Sequence, residues 1–529
     1  MPALKLIDAS TVWGLLESAA TQNPSGVALI YGSQRYTHAQ LRAYSAALAA
    51  GLHARGIARG DRVAIWLPNV PLWVALMFAC ARIGAPVVAL NTRFKPLEAG
   101  DILGRSGAKL LVYWPGFRGI DFTGILDGVE RACLSELRHV VAYSEAEAIP
   151  QSVCGLLVIT SDALVRNDDD APLTGGAEDG CVMFTTSGTT SKPKLVLHTQ
   201  RSITSHALTT ARALGYDVPG SVIKVVTPLC GVSGFGMPFA GVAARAPCVL
   251  TPAFDARGSL DLIREHRVSH IHANHEIIRR WLDAITDGDD VSSIKWVNCG
   301  SGTAGAYEPA ARHGIAVRSI YGSSELQARF SRQRPELAVE RIFEAGGFPV
   351  SDEAHVRIAD IETGRILPHG EKGEIQVRAP SRMHAYFNDA EATARAITED
   401  GYVRTGDCGY TRADGSFVHE ARIGDVLKLS GFMVSPAEIE AMLMSHAGIE
   451  QCQVVGVPSE RGQRAVAFVR CAAERFDESA LLNYCVEHMA RYKMPARIVR
   501  LDEFPMTAGA NAPKVQKNKL RELARTLTL

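Results

Sequence analysis

The chain has 529 residues, and at about 150 residues per domain that length allows three or four folding units. Lys plus Arg and Asp plus Glu number 56 each, so the formal net charge is zero. That balance excludes a broad nucleic-acid or anionic-membrane surface, although a local basic pocket would not show in the sum. With 47% hydrophobic and 21% charged residues, the composition is that of a well-cored soluble protein rather than a disordered one.

The first ten residues lack a basic segment followed by an apolar run, so no export signal is expected. Thr37-His-Ala-Gln40 has the spacing of a capping box, and the helical pattern behind it stops near Gly56. Asp61 to Leu67 reads as a buried strand, Pro71 to Ile83 as a helix and Pro86 to Leu90 as a second strand. Strand–helix–strand at this spacing implies parallel sheets with helices on their faces. The longest apolar stretch, Leu72 to Ala81, ends at Arg82 and is too short to cross a bilayer. The eleven cysteines contain no C-x-x-C pair, so they read as thiols of a reducing compartment, and a cytoplasmic enzyme is the expectation.

After about residue 350 short alternating runs appear, in Val356-Arg-Ile-Ala, Gly373 to Arg378 and Gly415-Ser-Phe-Val, as in a small antiparallel β unit. From about 433 a compact mixed segment follows: helix 436–446, strand 451–457, strand 465–471 and helix 477–491. The expected fold is α/β. A large N-terminal domain, residues 1–422, holds two mixed or parallel sheets flanked by helices plus the small β unit. A small mobile α+β domain, 423–529, closes the chain.

The segment Phe184-Thr-Thr-Ser-Gly-Thr-Thr-Ser-Lys-Pro-Lys194 lies between two short apolar strands. Thr186, Ser187, Gly188, Thr189 and Thr190 make a loop dense in N–H and O–H donors that can wrap phosphate oxygens, with Lys194 adding charge. A polar surface hairpin has the same composition. No G-x-x-x-x-G-K-[ST] sequence is present, which argues against a P-loop ATPase.

The order T-S-G-T-T-x-x-P-K resembles the phosphate loop of the adenylate-forming superfamily: acyl-CoA synthetases, non-ribosomal adenylation domains and luciferases. Four more segments follow in that family's order. They are Tyr321-Gly322-Ser323-Ser324-Glu325, with Ser324 for the usual Thr; Tyr402 to Asp407; Arg422 to Gly431 with Pro436-Ala-Glu-Ile-Glu440; and Pro513-Lys514 to Leu520. The resemblance covers nearly the whole chain and is greatest to free-standing acyl-CoA synthetases.

It implies an enzyme that joins a carboxylate to the α-phosphate of ATP, releases pyrophosphate and passes the acyl group to coenzyme A. The carboxylate is itself the nucleophile, so the protein must neutralise charge and align two anions. By this resemblance Glu325 holds Mg²⁺, and Tyr321 and Gly322 line the adenine with Gly300, Ser301 and Gly302 as a second wall. Asp407 bonds the ribose hydroxyls, and Arg422 reaches ribose or phosphate. Lys514 carries adenylation, although Pro513 stands where the family has Gly, which leaves Lys517 as an alternative. Gly424 stands at the hinge in place of Asp or Lys, and glycine tolerates the rotation the role requires. Lys428 and Gly431 then face the cleft for the second half-reaction.

The acid pocket is expected between the phosphate loop and Tyr321. In Pro228-Leu-Cys-Gly-Val-Ser-Gly234, Cys230 and Gly231 replace an aromatic and a histidine common in relatives, which suggests room for a bulky or polycyclic acid. His270-Ile-His272-Ala-Asn274-His275-Glu276 puts polar groups where relatives are apolar; they either recognise an oxygenated substrate or bond to one another and to backbone. Alternatives stay open: delivery to a carrier-protein thiol or an amine, or a catalytically silent binding protein on this scaffold. The partners expected are the acid, ATP and CoA, with no nucleic acid, and the oligomeric state is open, a dimer included.

Overall fold

The computed structural model describes residues 9–166, 171–186, 193–299, 303–361, 363–423, 427–430, 432–434, 436–459, 462–505 and 515–527. Two compact units emerge. One comprises Met1–Thr92, Ile102–Thr185 and Leu195–Ala421; the other comprises Arg93–Asp101, Thr186–Lys194 and Arg422–Leu529.

In the first unit, Thr37 Oγ1 accepts from the Gln40 amide at 3.2 Å and Gln40 Oε1 accepts from the Thr37 amide at 2.9 Å. This reciprocal cap starts the helix His38–Ala54 as the sequence predicts. The helix Pro71–Ile83 is buried at all 13 positions. Its burial follows from its place as a crossover between Arg62–Trp66 and Val87–Ala89, which pair in parallel. These strands, with Ala108–Tyr113 and His139–Ala142, form the parallel part of a nine-stranded sheet. Gly180–Thr186 pairs in parallel with Val87–Ala89, and Lys194–Thr199 lies next to it.

A second sheet orders fourteen strands. Its parallel part runs Val27–Tyr31, Cys248–Leu250, Ile223–Val225, His270–Ala273, Trp296–Cys299 and Val317–Ser323. The alternating runs after residue 350 are antiparallel as expected. They do not stand apart, however: Gly346–Pro349 pairs with both Gln327–Arg332 and Phe417–Arg422 and so joins them to the parallel part.

The second unit holds a five-stranded sheet with the helices Pro436–Met444, Glu478–His488 and Lys517–Arg525. The helix expected over 477–491 stops at His488 because Met489 is already extended (φ −139°). Met489 and Ala490 are nonetheless buried, so the apolar pattern outlasts the helix. Among the described residues no helix is long and apolar enough to cross a membrane.

Candidate active site

The strands Val317–Ser323 and Gln327–Arg332 are antiparallel neighbours joined by a tight turn, with a register shift between Tyr321 and Ser323. Gly322 is forced at this turn: a Cβ there would lie 2.3 Å from the Gln327 carbonyl oxygen. Gln327 takes the left-handed conformation, φ +65°. The turn presents Ser323, Ser324 and Glu325. The Ser323 hydroxyl oxygen accepts from the Glu325 amide at 3.2 Å. His198 Nε2 donates to the Ser324 carbonyl at 2.7 Å, and burial pushes the His198 pKa down to about 4, so the ring clamps the turn as a neutral donor. Tyr386 Oη donates to Glu325 Oε1 at 2.9 Å, and the Met383 amide donates to the Glu325 carbonyl at 2.6 Å. The half-buried Glu325 is thus held at both its carboxylate and its backbone.

Asp407, in the strand Val403–Thr411, is buried. Its Oδ2 accepts from Tyr321 Oη at 2.6 Å, and its Oδ1 lies 3.5 Å from His419 Nε2. The Tyr321 ring packs against His419 and Phe417, both with centroids at 5.3 Å. Two motifs 86 residues apart therefore meet through one short hydrogen bond. Around it lie aromatic walls with a hard oxygen donor, Glu325, nearby in the chain. A single carboxylate fits Mg²⁺, which binds through one or two carboxylates plus substrate phosphates. Among the described residues no group of three or more His, Cys, Asp or Glu is arranged to hold a metal by itself.

Thr186 ends its strand and Lys194 begins the next. Ser187, Gly188, Thr189 and Thr190 lie outside the described residues, as do Gly300, Ser301, Gly302, Gly424, Gly431 and Lys514. The side chains of His275, Arg422 and Lys428 are likewise not described; Lys428 lies on the strand Leu427–Leu429, opposite Met433. Lys517 Nζ pairs with Glu440 Oε1 at 3.1 Å, and that oxygen also accepts from the Val454 amide. Its ammonium is committed to a structural contact.

Gly231 precedes the helix Val232–Ala244, and among the described residues a Cβ on it would meet only the Pro228 carbonyl, at 3.8 Å. Among the described residues, space is open beside this glycine. Gly234 has a packing reason instead: a Cβ would lie 2.3 Å from the carbonyl oxygens of Thr227 and Pro228. Cys230 is buried beside them. Asn274 caps the helix His275–Leu282, its Oδ1 accepting from the Ile277 amide at 2.9 Å. Of the two readings of this segment, local bonding thus accounts for Asn274. His272 is buried and its Nδ1 has no partner among the described residues.

Sequence reasoning missed His198, Tyr386 and His419. The signal for His198 was a polar residue inside the apolar strand Lys194–Thr199. Tyr386 and His419 carried none, because each acts through a fold-level contact with a motif distant in sequence.

Comparison with known proteins shows the family. The family model described as AMP-binding enzyme matches residues 16–387, and that of the AMP-binding enzyme C-terminal domain matches 438–510. A methyl-dioxo-octahydro-indenyl-propanoyl:CoA ligase of Mycobacterium tuberculosis is 32% identical over 98% of this chain and 99% of its own. A feruloyl-CoA synthase of an Amycolatopsis species is 30% identical over 95% and 96%. The solved o-succinylbenzoate CoA synthetase of Bacillus subtilis, a double mutant bound to a product analogue, superposes with a TM-score of 0.81 at 26% identity, covering 97% of this chain and 98% of its own. With a family model across most of its length and relatives of this identity end to end, the chain belongs to the AMP-binding, adenylate-forming enzymes of acyl-CoA synthetase type.

Proposed function

We propose that the protein is an ATP-dependent acid–CoA ligase: a carboxylic acid is activated as acyl-AMP with release of pyrophosphate, and the acyl group then passes to CoA. The observation that carries the site reading is the Tyr321–Asp407 hydrogen bond beside the Glu325 turn. Tyr321 and its aromatic neighbours offer an apolar wall for adenine. Asp407, already holding the Tyr321 hydroxyl on Oδ2, keeps acceptor capacity for ribose hydroxyls. Mg²⁺ held by Glu325 would supply charge neutralisation at the phosphates. Thr186 to Thr190 and Lys194 would cradle the same phosphates, with Arg422 reaching in from the junction.

The acid's carboxylate attacks the α-phosphorus, its oxygen forming the new P–O bond as the pyrophosphate oxygen leaves. No protein base is required, because the nucleophile is already ionised. Lys514 is the adenylation lysine in this reading. The Lys517–Glu440 contact favours it, since the neighbouring candidate is engaged elsewhere. Gly424 is the pivot between 1–422 and 423–529, and rotation there would bring Lys428 and Gly431 to the cleft for thioester formation.

The open space at Gly231 supports a bulky acid, and the mycobacterial relative acts on a fused-ring propanoate. Acid-dependent ATP–pyrophosphate exchange across aliphatic, aryl and polycyclic carboxylates, followed by mass detection of the thioester, tests the proposal. Exchange without a CoA thioester would instead favour a carrier-protein thiol or an amine as acceptor. No exchange with any acid would favour a silent binding protein.

A further inference from the structure

Arg329 lies on the strand Gln327–Arg332, four residues beyond Glu325, and its side chain is fully buried. Its Nη1 donates to the Ser233 carbonyl at 2.8 Å, in the first turn of the helix that begins beside Gly231. Its Nε and Nη2 have no partner among the described residues. The guanidinium packs closely on this helix: a Cβ on Gly236 would lie 2.5 Å from Nη2, so a larger residue there would require the guanidinium to shift. The same point is 3.8 Å from His206 Cδ2, which brings a buried imidazole to the same patch of helix.

Other buried polar groups lie around it. His206 Nδ1, His272 Nδ1, Tyr216 Oη and Asn298 Nδ2 all lack partners among the described residues. Burial first, and then the charge of Arg329, holds His206 and His272 neutral, and the same charge acts on Tyr216. His272 and Asn298 are register partners on adjacent parallel strands and so share a sheet face. The helix Val232–Ala244 packs on the strands that carry His272 and Arg329. No described carboxylate answers the guanidinium, and a buried guanidinium without a counter-charge is strongly unfavourable. A cluster made only of groups able to donate is complementary to oxygen acceptors.

We propose that Arg329, with His206, Tyr216, His272 and Asn298, binds a hydrogen-bond-accepting oxygen group at the far end of the acid, either a second carboxylate or a carbonyl. This rests on the ligase reading and names its substrate class. The space beside Gly231 and the Ser233 turn place the cluster next to the expected acid pocket, between that segment and the Glu325 turn.

The test uses matched acids of increasing length: α,ω-dicarboxylates, terminal oxo acids and unsubstituted acids of the same carbon count, together with a cyclohexanone-propanoate and a cyclohexane-propanoate. For wild type, kcat/KM in pyrophosphate exchange is expected to favour an oxygen-bearing acid over its plain counterpart by about 10⁴-fold, since a site built to bond an oxygen is left unpaired by an analogue without one. Whether the dicarboxylate or the oxo acid leads distinguishes the two sources. Arg329→Met should collapse the ratio at least tenfold, chiefly through KM, while raising the Tm of the ligand-free protein. Tyr216→Phe, which deletes one hydroxyl and keeps the packing, should lower the ratio severalfold. Equal use of plain and oxygen-bearing acids by wild type, or an unchanged ratio in Arg329→Met and Tyr216→Phe, overturns the inference and leaves the ligase reading standing. Absence of exchange with every acid overturns the ligase reading, and this inference falls with it.

Discussion

Lys224 gives a stability prediction that depends on little else. Its side chain is fully buried in the strand Ile223–Val225, and its Nζ has no partner among the described residues. Val226, Phe254, Ile263, Ile271 and Trp281 line the pocket around it. Desolvation pushes its pKa from the ordinary 10.5 down to about 8, opposed by the attraction of Asp255. At 1.36 kcal/mol per pH unit, holding the ammonium in this pocket costs about 3 kcal/mol wherever it is charged in both folded and unfolded states. Below pH 8 that cost is present in full. Between about 8 and 10.5 the unfolded chain binds the proton and the folded one does not, so wild-type stability rises with pH across that window relative to a variant without the lysine. Lys224→Met keeps the length and removes the charge. Thermal unfolding should therefore show the variant more stable than wild type at pH 7, with the advantage shrinking between pH 8 and 10.5 and absent above it. An unchanged or lower Tm at pH 7, or an advantage independent of pH, refutes the reasoning.

Tyr321→Phe removes the donor to the buried Asp407 carboxylate while keeping the ring, and should raise KM for ATP about tenfold and lower the Tm; steady-state exchange kinetics and thermal unfolding check this. Gly424→Pro should damage thioester formation more than adenylation, and equal loss in separately assayed half-reactions would contradict the hinge role. Lys514→Ala should nearly abolish adenylation yet transfer a preformed acyl-adenylate to CoA, whereas Lys517→Ala should retain adenylation and lose stability with its Glu440 contact. Half-reaction assays on the two variants decide between the lysines.

Much of the architecture was legible because its signals are local. The Thr37–Gln40 box and the proline-started helix Pro71–Ile83 each announce themselves within a few residues. The motifs also located Tyr321, Glu325 and Asp407, but not the hydrogen bond joining Tyr321 to Asp407, which the sheet order creates. Lys224 and Arg329 were illegible for another reason. In a strand with one wet face a charged residue points to water. Here Ile223–Val225 is buried at every position, and Gln327–Arg332 at all but Arg332, so the alternation rule has no solvent side to report. The same limit hid the donor cluster around Arg329: His272 was noticed as odd, but its neighbours come from a helix and strands far apart in sequence.

The central claim is that the acid's own oxygen attacks the α-phosphorus and the acyl group then leaves on CoA. It is tested most directly by supplying an accepted acid with heavy oxygen in its carboxylate, together with ATP and CoA, and analysing AMP and thioester by mass spectrometry. The account predicts one heavy oxygen in AMP, pyrophosphate at its natural mass and an acyl-CoA that retains the other. Label in a phosphate product in place of AMP, or thioester formed with unlabelled AMP, would contradict it.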